Sequence, residues 1–148
     1  MLLMGNLSEH FSYRDFACRC RQCKADVRVH LGLVGALEAI AEHFRRVPRI
    51  DEAFRCDAAC GNTGAIKKNS HRQGRAAHIY VEGVPLKELF SFVKDLPEIR
   101  GVGYYAKENL LHVDTRGLDK DQPKDIWAKE NGKIVPLTPE LKSRYGLS

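Results

Sequence analysis

Three histidines have the residue type and the arrangement from which a metal site could be built. The chain has six histidines, and His71, His78 and His112 differ from the others because their segments could bring them together. Gly74 lies between the first two and lets the loop fold back. His78 and His112 lie in segments that alternate in hydropathy and could form neighbouring strands. The spacing alone leaves open both a shared metal and ordinary packed imidazoles.

Zinc is the metal that such a group would favour. A catalytic zinc binds imidazole nitrogens, uses three protein ligands and leaves its fourth position to water. Asp114 shares a strand face with His112, because side chains on a strand alternate with a period of two. Its carboxylate could accept a proton from the attacking water, or it could hold a ligand imidazole from behind.

The cysteines form a second group of potential ligands. The chain has five cysteines at short spacings, namely Cys18, Cys20, Cys23, Cys56 and Cys60. An odd number argues against a closed disulfide framework. Three interpretations stay open: a second, structural Zn²⁺ bound by four thiolates, a set of buried or free thiols, or a disulfide.

Hydrophobic periodicity predicts the elements that must position these residues. Apolar residues at helical spacing predict one helix ending before Pro48 and a shorter one ending at Pro97. The predicted helices span 27–46 and 86–96, and the predicted strands span 50–54, 75–82, 102–105 and 110–115. The expected fold class is α+β, with a small antiparallel sheet and two covering helices.

The last part of the chain has no clear period. It mixes prolines and charges with few apolar residues, so we expect a domain over residues 1–118. Residues 119–148 are expected to be a C-terminal extension packed on that domain.

Several segments together resemble one enzyme family. Residues 69–79 read NSHRQGRAAHI, which resembles the S-x-H-x-x-G-x-A-x-D signature of the zinc D-Ala-D-Ala metallopeptidases, the carboxypeptidase and hedgehog-type group. Three further stretches resemble the short branch of that family: LSEHFSYRDFAC at 7–18, FRC at 54–56, and VGYY at 102–105 followed by HVDTR at 112–116. The resemblance extends over most of the first 116 residues.

The resemblance implies a hedgehog/DD-peptidase-like fold and a set of site residues. His71, His78 and His112 would hold the zinc, and Arg55 would stabilise negative charge on the substrate. Asn69 and Ser70 would bind substrate. Asn69 stands where the family has serine, and His78 stands where it has aspartate.

The general base also departs from the family pattern. The positions that carry it in better-known members are here Asn109 and Leu110, neither of which can accept a proton. Asp114 and Glu108 are the remaining carboxylates, and we expect Asp114 to act.

The function implied by the resemblance is zinc-dependent hydrolysis of peptide bonds in peptidoglycan stem or cross-bridge peptides, as a carboxypeptidase or an endopeptidase. Because His78 replaces an anionic ligand, the alternative is a catalytically altered or inactive scaffold that binds cell-wall peptides. A second alternative is a basic nucleic-acid-binding protein with a cysteine zinc site.

Composition limits the choice further. Hydrophobic residues at 43% and charged residues at 29% exclude a disordered or collagen-like chain. A net charge of +5 suits an anionic wall polymer, and a peptidoglycan peptide rather than nucleic acid is the expected partner. No apolar run reaches the length of a membrane span. With no secretory signal in the sequence, we expect a cytoplasmic protein that reaches the wall after lysis or through a holin.

Overall fold

A computed structural model describes residues 6–20, 27–56, 70–117 and 121–147. Of the residues expected at the site, only Asn69 lies outside these ranges. Cys23 and Cys60 also lie outside them.

A six-stranded sheet forms the centre of the fold. Its strands are β1 (Arg49–Glu52), β2 (Ala76–Tyr80), β3 (Gly101–Tyr105), β4 (Leu110–Asp114), β5 (Asp125–Glu130) and β6 (Lys133–Pro136). They are ordered β1-β2-β4-β3-β5-β6. Neighbours are antiparallel except β3 and β5, which pair in parallel. The expected α+β class is confirmed, and the sheet is larger than the sequence pattern predicts.

The helices of the described chain are α1 (Leu31–Phe44), α2 (Leu86–Val93) and α3 (Pro139–Tyr145), together with a 3₁₀ helix at Tyr13–Phe16. Helix α1 begins four residues later than expected because tertiary hydrogen bonds hold the preceding residues extended. His30 donates its backbone N–H to Gly74 at 2.8 Å, and its ring contacts the Thr115 hydroxyl at 2.9 Å. Helix α2 ends before Leu96, whose position next to Pro97 disfavours helical backbone. None of the described helices is long and apolar enough to cross a membrane.

One face of the sheet packs against α1 and α2 to form the core. Leu37 and Ile40 from α1 and Leu89 from α2 are buried with Ile79 of β2 and Leu111 of β4. Because strand side chains alternate, the residues between these apolar positions lie on the opposite face. That alternation places His78 and His112 together, away from the helices.

Strands β5 and β6 and helix α3 were not expected, because periodicity is weak after residue 118. The β5–β6 hairpin turns at Asn131-Gly132, where both residues have positive φ, 51° and 76°. An Asn-Gly dipeptide is a strong signal for a hairpin turn, and it marks this turn although the hydropathy of the flanking residues does not. Thr138 caps α3 by accepting a hydrogen bond from the Leu141 N–H at 3.3 Å.

Candidate metal centre

The structure brings His71, His78 and His112 together. One ligand atom from each ring lies within 4.8 Å of the others, and the ring centroids are 4.8 to 5.3 Å apart. Nitrogens bound at about 2.0–2.1 Å to one tetrahedral zinc lie about 3.3 Å from each other. Small side-chain rotations therefore suffice to bring the three rings onto one ion.

Sheet register and one glycine produce this convergence. His78 and His112 are directly opposed in the β2–β4 ladder. His71 lies in the turn before β2, and that turn depends on Gly74, whose φ is +73°. A Cβ at Gly74 would lie 2.2 Å from the backbone oxygen of Arg28, so no other residue fits there without a shift of the backbone.

Hydrogen bonds fix which ring nitrogen of His71 and which of His112 can bind a metal. His71 is 4% exposed and its Nδ1 lies 2.7 Å from the carbonyl oxygen of Ala53. A carbonyl can only accept, so Nδ1 carries the proton and Nε2 carries the lone pair. His112 Nε2 lies 2.7 Å from Asp114 Oδ2, which in the same way leaves the lone pair on Nδ1. Histidines that bind zinc typically have their other ring nitrogen held by an oxygen acceptor in this way.

The pKa values of two of the rings keep them neutral at physiological pH. Burial, together with the charges of His112 and Arg55, lowers the pKa of His71 to about 2. Burial and the charge of His112 lower the pKa of His78 to about 4, although Glu52 opposes that shift. A neutral imidazole is the form that binds a metal. The donor set therefore fits Zn²⁺.

Asp114 is fully buried behind His112. Its Oδ2 accepts from His112 and, at 2.7 Å, from Arg116 Nη2. Its Oδ1 accepts from Arg116 Nε at 2.9 Å. Burial raises the pKa of Asp114, but these hydrogen bonds outweigh it and hold that pKa well below its ordinary value. The contacts are those of a carboxylate that orients His112, and proton acceptance by Asp114 stays a prediction.

Arg55 lies beside the histidines and is paired with Glu52. Its Nε donates to Glu52 Oε1 and its Nη2 donates to Glu52 Oε2 at 3.1 Å. That carboxylate also lies 4.0 Å from His78 Nδ1. Burial raises the pKa of Glu52, whereas the hydrogen bond and charge of Arg55 bring it below the ordinary value.

Sequence reasoning missed Glu52, although it stands next to the predicted His78. The β1–β2 ladder shifts its register between Ile50 and Glu52, so regular alternation does not predict which β1 residue meets His78. The i,i+3 spacing of Glu52 and Arg55 was the available signal.

The remaining residues that the sequence predicts at the site are Ser70, Glu108 and Asn69. Ser70 is half-buried, and its carbonyl accepts from the Arg75 N–H at 2.9 Å. Glu108 pairs with Lys129 at 3.2 Å. Asn69 lies outside the described residues, so its expected role in substrate binding stays a prediction.

Two aromatic side chains flank the centre. The Tyr105 ring lies 5.3 Å from His78, and the Trp127 ring lies 5.0 Å from His112. Arg116 stacks over Trp127 at 5.0 Å. Trp127 comes from β5, so part of the site wall is built by the segment that was expected to be an irregular extension.

Comparison with known families identifies the chain at the family level. The model of the family described as peptidase M15 matches residues 9–114, more than half of the chain. The chain belongs to the peptidase M15 family. The three histidines, Arg55 and Asp114 all lie within the matched residues, and the zinc dependence of the M15 family agrees with the histidine group.

The curated relatives match a shorter part. The peptidoglycan L,D-endopeptidase MepK of Escherichia coli (strain K12) is 35% identical over 52 residues, which is 35% of this chain and 28% of the relative. The probable peptidoglycan L,D-endopeptidase MepK of Haemophilus influenzae is 40% identical over 52 residues, 35% of this chain and 27% of the relative. The chain thus spans little more than a quarter of the length of these relatives. No solved structure matches it significantly.

Proposed function

We propose that this M15 chain is a zinc-dependent hydrolase of amide bonds in peptidoglycan stem or cross-bridge peptides. The observation that carries the proposal is the group formed by His71, His78 and His112. His71 and His112 are buried, and each of these two rings is held by an acceptor from behind. The relatives named as peptidoglycan L,D-endopeptidases favour an endopeptidase over a carboxypeptidase.

The zinc would be held by His71 through Nε2, by His112 through Nδ1 and by His78. When bound, zinc polarises the scissile carbonyl and lowers the pKa of water toward about 7. The Ala53 carbonyl keeps the His71 ring oriented, and the Asp114 carboxylate does the same for His112. Both hydrogen bonds also make the rings better electron donors.

Arg55 supplies positive charge for the reaction. Its charge reaches the rings of both His71 and His78, whose pKa values it lowers. A guanidinium placed there can donate hydrogen bonds to the negative oxygen that develops when the carbonyl becomes tetrahedral. Glu52 orients this guanidinium through two hydrogen bonds.

Either of two carboxylates could accept the proton of the attacking water. Asp114 is the acceptor expected from the sequence, but it is fully buried and is held between His112 and Arg116. Glu52 also accepts from Arg55 with both oxygens, but it is partly exposed and its carboxylate lies 4.0 Å from His78 Nδ1. We therefore favour Glu52 as the acceptor and Asp114 as the residue that positions His112.

A second candidate function follows from His78 itself. The family signature has an anionic ligand at this position, and a neutral ring leaves the metal with one more positive charge. A chain altered in this way could bind wall peptides without cleaving them.

Turnover separates the two functions. Purified chain is loaded with zinc and incubated with peptidoglycan, and released peptides are identified by mass spectrometry. We expect cleavage by the wild type and by His43→Ala, whose ring lies on α1, and none by His71→Ala. If the His78→Asp variant cleaves peptidoglycan and the wild type does not, the result supports the peptide-binding function. A zinc-loaded wild type that cleaves nothing would refute the proposed peptidase activity.

A further inference from the structure

A second group of ligand atoms lies outside the histidine centre. Cys18 and Cys20 follow the 3₁₀ helix, and both lie against Cys56. Their Sγ atoms are each 3.6 Å from the Cys56 Sγ, and the ligand atoms of all three lie within 4.8 Å of one another.

These separations suit a shared metal ion. Sulfurs joined in a disulfide are about 2.05 Å apart, far closer than the observed 3.6 Å. Thiolates bound at about 2.3 Å to a tetrahedral zinc lie about 3.8 Å from each other. The cysteines therefore lie nearly where three corners of a zinc tetrahedron would put them.

The surrounding backbone holds the group in place. Phe54 donates its N–H to the carbonyl of Phe16 at 3.1 Å, which joins the segments carrying the cysteines. The Cys56 N–H donates to the Cys18 Sγ at 3.5 Å. Amide donors to sulfur of this kind occur in metal–thiolate sites, where they stabilise the negative charge of a sulfur that has lost its proton.

We propose that Cys18, Cys20 and Cys56 bind a structural Zn²⁺ that is separate from the histidine centre. Thiolates in this geometry select zinc over the hard divalent cations. The sequence has two more cysteines, Cys23 and Cys60, both outside the described residues, and the proposal rests on Cys18, Cys20 and Cys56 alone.

This zinc would fix the loop that supports the histidine centre. Cys56 directly follows Arg55, and Ala53 in the same loop accepts the hydrogen bond of His71 Nδ1. Arg55 also donates its backbone N–H to the carbonyl of His71 at 3.2 Å. The metal would thus tie the N-terminal segment to residues that orient one histidine and supply the cation of the site.

Zinc content of purified variants tests the proposal without reference to activity. We expect about two zinc ions per chain in the wild type, about one in Cys56→Ser, about one in His71→Ala and none in the double variant. Ala17→Ser is the matched control, because it adds a hydroxyl beside Cys18 and leaves the thiols in place. It should retain the wild-type content.

A measurement on the unmutated protein guards against variants that fail to fold. A mercurial that blocks thiols should release about one zinc per chain, and Co²⁺ loaded into the same site should give a thiolate charge-transfer absorption that His71→Ala retains. If the histidine centre holds no metal, the wild type still carries the cysteine zinc, so the two proposals fail separately.

Two results would overturn the cysteine site. One is zinc that the mercurial does not release and that Cys56→Ser retains in full. The other is fewer than the five thiols of the chain in denatured, unreduced protein, which would reveal a disulfide.

Discussion

Replacing Asp114 with asparagine tests the support behind His112. The carboxylate is fully buried. It accepts one hydrogen bond from His112 Nε2 at 2.7 Å and two from Arg116, donated by Nε and Nη2. Asparagine keeps the shape but removes the charge, and its amide cannot accept all of these hydrogen bonds. The change therefore weakens two charge-assisted contacts and releases the orientation of one proposed ligand.

The expected magnitudes follow from these contacts. Each charge-assisted hydrogen bond contributes about 1.5–3 kcal/mol when buried, and Arg116 retains partial access to water, with a side chain that is 32% exposed. We expect the free energy of unfolding to fall by about 2–3 kcal/mol and zinc affinity to fall about 10- to 100-fold.

Urea unfolding and a chelator competition measure the two effects. Asp125→Asn is the matched control, because Asp125 contacts the same arginine at 2.7 Å but lies at the surface and does not touch His112. We expect that control to change stability by less than about 1 kcal/mol and zinc affinity hardly at all. An Asp114→Asn protein with wild-type stability and zinc affinity would refute the assigned role.

Two further substitutions test the backbone conformation at Gly74 and the proton acceptance proposed for Glu52. Gly74→Ala should lower the free energy of unfolding by about 2 kcal/mol or more, because its Cβ would lie 2.2 Å from Arg28 O at a φ of +73°. Gly117→Ala, which meets nothing within 4 Å, should be neutral in the same urea titration; equal effects would remove the argument for Gly74. Glu52→Gln should lower kcat by about 10²- to 10⁴-fold at unchanged zinc content. Glu82→Gln, which removes a surface partner of Arg49, should not, and a fully active Glu52→Gln enzyme would exclude Glu52 as the proton acceptor.

The convergence of the histidines was predictable from simple periodicities taken together with the family resemblance. Alternation puts His78 on the face opposite Ile79, and the β2–β4 pairing then sets it against His112. Gly74 signals the turn that returns His71 to the same place. The alternation and the glycine are local signals, whereas the β2–β4 pairing joins distant parts of the chain. Hydropathy and residue type therefore allowed the convergence, and the resemblance to the zinc D-Ala-D-Ala metallopeptidases selected it.

Three features could not be predicted from the sequence because they depend on irregular or long-range contacts. Glu52 reaches His78 through a shift in strand register, which no hydropathy pattern encodes. Trp127 reaches His112 because β5 pairs in parallel with β3, and the charged residues of β5 hide that strand. Helix α1 begins late because His30 is held by Gly74 and Thr115, both of which lie far along the chain.

The most direct test of the histidine metal centre is a crystal structure of the zinc-loaded chain with anomalous data collected at the zinc edge. We expect an anomalous peak between the three rings, about 2.0–2.1 Å from His71 Nε2 and His112 Nδ1 and within bonding distance of His78. An anomalous map with no peak between those rings, from crystals grown with excess zinc, would show that the three histidines do not share a zinc ion.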